Sequence, residues 1–396
     1  MKVLFVSALF PFPLSSGGHV RIFNLIKHLG AKHEITLFAY IRSEAERRYI
    51  PQLEKFCKSV HVFYRGTAWQ PKYVLRAATS SLPFLMATYE NRALSDAITQ
   101  ATGTQTYDLV HAEPFYVSHV IPKSATVPLV VTEHNIEYDV YGSYAKRFRL
   151  MPILYQVMML DTLKLKAKEQ RIWRQAKRII CVSQGDRQVV SAAAKRSDID
   201  LVPNGVDTGY YAYHTRAIER ERPKFLFVGN FLWLPNREAL DRILTSIWPA
   251  LHRKWPGAVF TIVGPNMSQK DRSQAMRLGL EVLGWVDDIR SVYARSSLLL
   301  APMGIGGGTK FKILEAMASG LPVVTSKAGA SGLAVADGIN ILLAQTPEEY
   351  VGKCEKIIQS ADARNTLTGK ARKLVETNYS WDSLAQNLSN IWESTV

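Results

Sequence analysis

Short unbroken apolar runs recur along the chain, and between them lie stretches whose apolar positions fall three and four residues apart. "KVLFVS", "EITLFAY", "SVHVFY", "YDLVHAE", "PLVVTEH" and "RIICVS" have the character of strands buried on both faces, as in a parallel sheet. "HVRIFNLIKHL" follows the first run and sets Val20, Phe23, Ile26 and Leu29 at helical spacing. "LVPNGVD", Leu201–Asp207, is a cluster of turn residues suited to a domain boundary. A second series then begins with "KFLFVGN", after which Leu240, Ile243, Leu244, Ile247 and Leu251 share one helix face. "AVFTIVG", "LEVLGWV", "SLLLAP", "LPVVTS" and "INILLA" continue it. "TPEE", starting at Thr346, supplies an N-cap, a proline at the first helical position and a capping-box glutamate. The alternation predicts an α/β protein of two doubly wound domains, with an interdomain cleft and with ligands at the carboxyl ends of the strands.

Length agrees: 396 residues exceed what one hydrophobic core serves. With 47% hydrophobic and 21% charged residues, the composition is that of a globular protein. Cys57, Cys181 and Cys354 are far apart, which argues against a disulfide framework or a zinc site and fits a reducing cytoplasm. The start, "MKVLFVSALFPFPLSSGG", resembles a signal peptide only in its short apolar run and reads as a buried first strand. "MPILYQVMML", Met151–Leu160, is roughly half of a bilayer span. The net charge of +15 is unevenly placed: residues 142–178 hold ten Lys or Arg against Asp161 and Glu169. That basic face suits an anionic membrane surface, with "RLMPILYQVMML" as apolar contact, or remains a solvated helix face. A nucleic-acid surface needs clustered stacking aromatics, which are missing there, so no nucleic acid is expected.

Two glycine loops follow strands. In "PLSSGGHVR", Gly17 and Gly18 open a helix whose amino end suits an anion; a plain tight turn is the alternative. In "GGGTKFKILEAMASGLPVV", Gly306–Val324, Lys310 and Lys312 fall in the first turn of a helix ended by Ser319 and Gly320. Cations there oppose the helix dipole by roughly 0.3–1 kcal/mol each, a cost that reverses if an anion docks on the helix mouth; solvated lysines remain the alternative. Thr309 and Phe311 break the P-loop pattern, and the dinucleotide fingerprint also fails. Glu315 near this mouth can accept hydrogen bonds from a ribose diol, or pair with Lys312 at i, i+3 on the helix surface. Phosphate plus diol describes a nucleotide.

At these residues the sequence resembles the retaining family 4 glycosyltransferases (glycosyl transferases group 1) of GT-B fold, two facing Rossmann-like domains with a cleft. "SSGGHVR", "VTEHN", "VPNGVD", "VGNFLWLPNREAL", "LGWVDD" and "GGGTKFKILEAMASGLPVV" occur in family order, and "NYSWDSLAQNLSNIW" looks like the closing helix returning to the first domain. The resemblance implies an acceptor-side domain over 1–207, a donor domain over 208–378 and a returning helix over 379–396. It implies that Glu315 binds the ribose, that Gly308, Thr309 and Lys310 hold the donor diphosphate, and that Gly17 and Gly18 close on donor or acceptor. Trp285 and Val286 would border the base. His134 matches the histidine facing the transferred sugar, although a histidine ending a strand is often structural. Gly307 stands where the family often has a glutamate, and the usual arginine and lysine opening the second domain are missing; Lys310, Lys312 and Arg237 are expected to supply that charge.

The implied reaction moves a hexose from a nucleotide diphosphate sugar to a glycan or lipid-linked acceptor, with retention and in cell-surface polysaccharide or glycolipid synthesis. Charge growing on the leaving phosphate calls for preorganised donors. Helix N–H groups and lysines would provide them, with no cofactor and no metal; Asp287 and Asp288, being adjacent, read as a loop feature. The alternatives are a nucleotide-sugar epimerase of GT-B fold and a non-catalytic nucleotide- or glycan-binding protein. The expected location is the cytoplasm, extending to peripheral attachment at the inner face of the membrane.

Overall fold

Thirteen strands among the described residues form two parallel sheets in the computed structural model, which describes residues 1–104, 106–122, 127–304 and 311–396. Met1–Pro203 with Leu384–Val396 form unit 1, and Asn204–Ser383 form unit 2. The divisions at 203/204 and 383/384 replace the sequence boundaries at 207 and 378: the bridge Val206–Ser380 and the Val206 N–H bond to Tyr379 O tie both segments into unit 2.

In unit 1, β1 (Lys2–Ser7), β2 (Glu34–Ile41), β3 (Ser59–Tyr64), β4 (Leu109–Glu113), β5 (Leu129–Glu133), β6 (Arg178–Cys181) and β7 (Ile199–Leu201) lie in the order 3-2-1-4-5-6-7. Val3 aligns with Ile35 on one side and with Leu109 on the other, so the chain winds outward from β1 in both directions. The switch point is therefore between the carboxyl ends of β1 and β4. Leu4, Val6, Val110, Val131 and Ile179 are wholly buried, which explains why these strands read as continuous apolar runs.

The first helix, Gly17–Leu29, buries Ile22, Leu25, Ile26 and Leu29, but also Arg21 and Asn24. Val20 and Phe23, expected on the buried face, are half-exposed. The face is rotated because Arg21 has a carboxylate to meet inside. The closing helix, Trp381–Glu393, packs onto the rest of unit 1 from Leu384 onward. There Asn387 Nδ2 donates to Leu201 O at 3.0 Å and Ser389 Oγ lies 2.7 Å from His33 Nε2.

In unit 2, β8 (Lys224–Val228), β9 (Val259–Val263), β10 (Glu281–Leu283), β11 (Leu298–Ala301), β12 (Val323–Thr325) and β13 (Leu342–Leu343) take the order 10-9-8-11-12-13. Here the switch point lies between β8 and β11. The face expected after β8 is buried at Leu240, Ile243, Leu244, Ile247 and Leu251, with a π-turn at Ile243–Ile247. Thr346 and Glu349 form the full capping box of the helix Pro347–Gln359. Cys57, Cys181 and Cys354 are free and buried.

Candidate active site

Unit 2 presents its polar groups at the β8/β11 switch point. The chain leaving β8 passes so close to the chain leaving β9 that a Cβ on Gly264, whose φ is +143°, would lie 1.8 Å from Gly229 O. Only glycine fits. A Cβ on Gly229 would in turn meet Asn236 Cγ at 2.8 Å. Asn236 is held by its Nδ2 bond to Asn230 O (2.8 Å), and its Oδ1 accepts from Lys312 Nζ at 2.7 Å. That ammonium also lies 4.5 Å from the centre of the Phe227 ring.

Lys312 occupies the first turn of the helix Phe311–Ala318, which follows β11 and ends at Gly320 with φ +71°. Glu315, three residues on, is half-buried. Tyr293 Oη, 22 residues away in sequence, donates to its Oε2 at 2.8 Å, and the Tyr211 phenol bonds the same carboxylate. Burial raises the Glu315 pKa, while the two phenols and the Lys312 charge pull it back. Burial, with the Glu315 charge next, also raises both tyrosines. A carboxylate has about four acceptor positions, of which the phenols use two. Two remain, enough for a vicinal pair of hydroxyls.

The other residues expected in this unit are more loosely placed. Arg237 is exposed, and its side chain makes no hydrogen bond or ion pair among the described residues. Trp285, after β10, is exposed with its Nε1 3.3 Å from Asp287 Oδ1. Val286 packs against the apolar cluster that includes Tyr293 and Leu314. Asp288 binds Arg290 at 2.7 Å and belongs to the loop. Gly307, Gly308, Thr309 and Lys310 lie outside the described residues.

In unit 1 the matching feature is a wholly buried carboxylate. Glu113 ends β4, and its Oε1 accepts from Arg21 Nε at 2.6 Å and from His134 Nε2 at 2.8 Å; Oε2 lies 3.2 Å from His111 Nε2. Burial pushes the Glu113 pKa up, but the Arg21 charge and the two histidines outweigh it and hold the group well below the usual carboxylate range. Arg21 also donates to Val202 O and Pro203 O, both at 2.9 Å. Trp392 Nε1 donates to His111 Nδ1 at 2.9 Å, which leaves the His111 proton on Nε2, facing Thr132 Oγ1 at 2.9 Å. Burial lowers the His111 pKa and keeps the ring neutral.

Glu113 Oε1 accepts from His134 Nε2, so that nitrogen of this mostly buried ring carries a proton. Gly17 and Gly18 open the helix that carries Arg21, and Gly18 sits where a Cβ would be 3.2 Å from Leu9 Cδ2. Arg21, carried by the helix that the glycines open, and His134 thus meet at one buried acid. Beside them, Glu133 accepts from Trp173 Nε1 at 2.5 Å, and Glu169 caps the backbone N–H of Glu137 and Tyr138 at 2.9 and 3.1 Å. No group of three or more His, Cys, Asp or Glu among the described residues is placed to hold a metal ion.

The sequence matches the family described as "Glycosyltransferase Family 4" over residues 15–210, and "Glycosyl transferases group 1" over 222–360. The chain belongs to glycosyltransferase family 4. This family member is 20% identical over 391 residues to an uncharacterized 44.6 kDa protein in the cps region of Klebsiella pneumoniae, covering 96% of each. Among solved structures it resembles HepE of Anabaena in complex with UDP-glucose, at 19% identity and a TM-score of 0.65 with both chains fully covered. It also resembles the lipopolysaccharide outer core galactosyltransferase WaaB, at 17% identity and a TM-score of 0.64, again with both chains fully covered. At these identities the likeness is one of fold, the two-domain α/β fold called GT-B.

Tyr211, Tyr293, Arg21, Glu113 and His111 of this glycosyltransferase were not expected from the sequence, whereas Asn236 stands in "GNFLWLPNRE", which offers it with Asn230 and Arg237 in place of the usual arginine and lysine. A signal existed for one of them: Glu113 is a carboxylate ending a wholly buried parallel strand, where ligands of such sheets gather.

Proposed function

We propose that this glycosyltransferase moves a hexose, with retention of configuration, from a nucleoside diphosphate sugar to a glycan or lipid-linked acceptor in cell-surface polysaccharide or glycolipid synthesis. The observation that carries the proposal is Glu315, steadied by two phenols with acceptor capacity left over, one turn from Lys312 at the amino end of a helix at the switch point. The carboxylate takes the ribose hydroxyls. Lys312, the helix amino end and Lys310 from the preceding segment take the diphosphate, whose charge grows as the glycosidic bond breaks. Protein cations rather than a metal ion serve the leaving group in this reading.

In unit 1, His134 accepts a hydroxyl hydrogen of the sugar or the acceptor through Nδ1, and Glu113 is the positioning residue that sets its tautomer. The UDP-glucose bound by HepE and the cps-region location of the Klebsiella relative support the donor class and the setting. The test is incubation with UDP- and GDP-sugars and candidate glycan or lipid-linked acceptors, with the anomeric configuration of the product read by NMR. Glycosylated product that keeps the donor configuration, and at least tenfold slower turnover in Glu315→Ala, are expected. Isomerised donor, or binding without turnover, would replace the proposal with an epimerase or a binding protein.

A further inference from the structure

The long helix Pro152–Gln175 is buried in one half only. Its buried residues are Thr162, Leu165, Glu169 and Trp173, and none lies in the first half, where "PILYQVMML" carries no charge. Ile153, Val157 and Leu160 form one stripe at i, i+4, i+7 and are 81%, 58% and 61% exposed; Leu150, just before the helix, is 97% exposed. An uncharged, solvent-facing stripe of this length is unusual on a chain with ample core.

A second helix, Pro71–Thr79, is tied to the long helix and also exposes apolar side chains. Its end is held by Lys164 Nζ, which donates to Ala77 O and Ser80 O at 2.8 and 2.9 Å, and the chain beyond it by Phe84 N–H on Asp161 Oδ1 at 2.9 Å. Val74 and Leu75 of that helix, and Trp69 before it, are exposed.

Charge decides what covers the face. Lys146, Arg147 and Arg149 precede the apolar stretch and are exposed; Lys166, Lys168, Arg171 and Arg174 follow it. The two acids of the segment are engaged, Asp161 by Phe84 N–H and Glu169 by the turn it caps. A second copy in a two-fold dimer would set this basic segment against itself, on a chain that already carries +15. An anionic bilayer answers both features, with acyl chains for the stripe and headgroups for the cations at either end.

We infer that the first half of the helix Pro152–Gln175, with the adjoining Pro71–Thr79 helix, is a membrane-docking surface that inserts its apolar stripe into an anionic lipid interface. No helix among the described residues is long and apolar enough to cross a membrane, so this attachment is peripheral. It does not depend on the proposed reaction.

The experiment is flotation of the full chain with vesicles of phosphatidylcholine alone and of phosphatidylcholine with 30% phosphatidylglycerol, at about 0.1 and 0.5 M salt. The chain should float only with the anionic vesicles, and part of the binding should survive high salt because of the apolar stripe. Lys146→Ala/Arg147→Ala/Arg149→Ala should partition about 100-fold more weakly, about fivefold for each cation. Ile153→Ser/Val157→Ser/Leu160→Ser should lose the salt-resistant part while melting as the wild type does. Equal binding to neutral vesicles, or wild-type binding by the cation variant, would overturn the inference. So would a chain that sediments as a dimer and becomes monomeric in the apolar variant, which would assign the face to self-association. If the apolar variant fails to fold, the cation variant decides alone.

Discussion

Replacing Glu113 by glutamine tests the buried network of unit 1. Glu113 and Arg21 are 0% and 1% exposed, and the carboxylate is the guanidinium's charge partner at 2.6 Å. Glutamine keeps the shape but strands a cation in a dry interior, which costs about 3–5 kcal/mol. For a unit of this size each kcal/mol lowers the melting temperature by about 2–4 °C, so a fall of about 6–20 °C is expected. The pH dependence has a definite sign. Because Glu113 is depressed in the folded state, its contribution is complete above the ordinary glutamate value of about 4.3 and is lost as pH falls through the folded value. The gap between wild type and Glu113→Gln should therefore be full at neutral pH and close in acid. Calorimetry across pH gives the gap, and hydrogen exchange on β4 and the first helix assigns it to unit 1. Arg21→Met/Glu113→Leu should recover most of the loss, since a packed apolar pair replaces a buried ion pair at little cost. A Glu113→Gln protein melting within about 2 °C of wild type at pH 7, or a gap independent of pH, would refute the network as described.

Other consequences follow from the same structure. Burial raises Glu315, so its charge is a penalty above the folded pKa and none below the ordinary value. Glu315→Gln should therefore raise the ligand-free melting temperature of unit 2 by about 1–4 °C at neutral pH and not at pH 4 while nucleotide affinity falls; a lower melting temperature contradicts this. Burial raises Glu133 and Glu169, which also repel each other, to about 8 for Glu169, and raises Glu137 to about 7, so unit 1 should lose stability as pH climbs from the ordinary glutamate value of about 4.3 through about 8. Glu133→Gln should flatten that loss in denaturant titrations, and an unchanged slope would remove these acids as its cause. In nitrogen-15 spectra His111 and His134 should both carry the proton on Nε2, and Trp392→Phe should cost about 1–3 kcal/mol by leaving His111 Nδ1 without its donor.

The strands were legible because parallel strands buried on both faces must be continuous apolar runs, and the twelve expected ones are all present. β7 escaped because "IDL" is only three residues long and has an aspartate at its centre. The first helix was legible, and Ile26 and Leu29 of its spaced positions are buried, but hydrophobic spacing cannot anticipate an arginine drawn inward by a carboxylate 92 residues away. On the candidate site, a glycine run, two lysines and a following carboxylate suggest an anion-and-diol arrangement from local sequence alone, which is why Lys312 and Glu315 stand out there. The phenols that make Glu315 a steady acceptor come from elsewhere in unit 2 and leave no local pattern. Arg237, expected to supply charge to the donor, is exposed, and its neighbour Asn236, wedged against Gly229, engages Lys312.

The most direct test of the donor assignment is a crystal structure of the chain soaked with UDP or GDP at saturating concentration. Both ribose hydroxyls should lie within about 3 Å of the Glu315 carboxylate, with Tyr211 and Tyr293 still bound to it and the diphosphate at the amino end of the Lys312 helix. A nucleotide bound elsewhere, with Glu315 untouched, would contradict it.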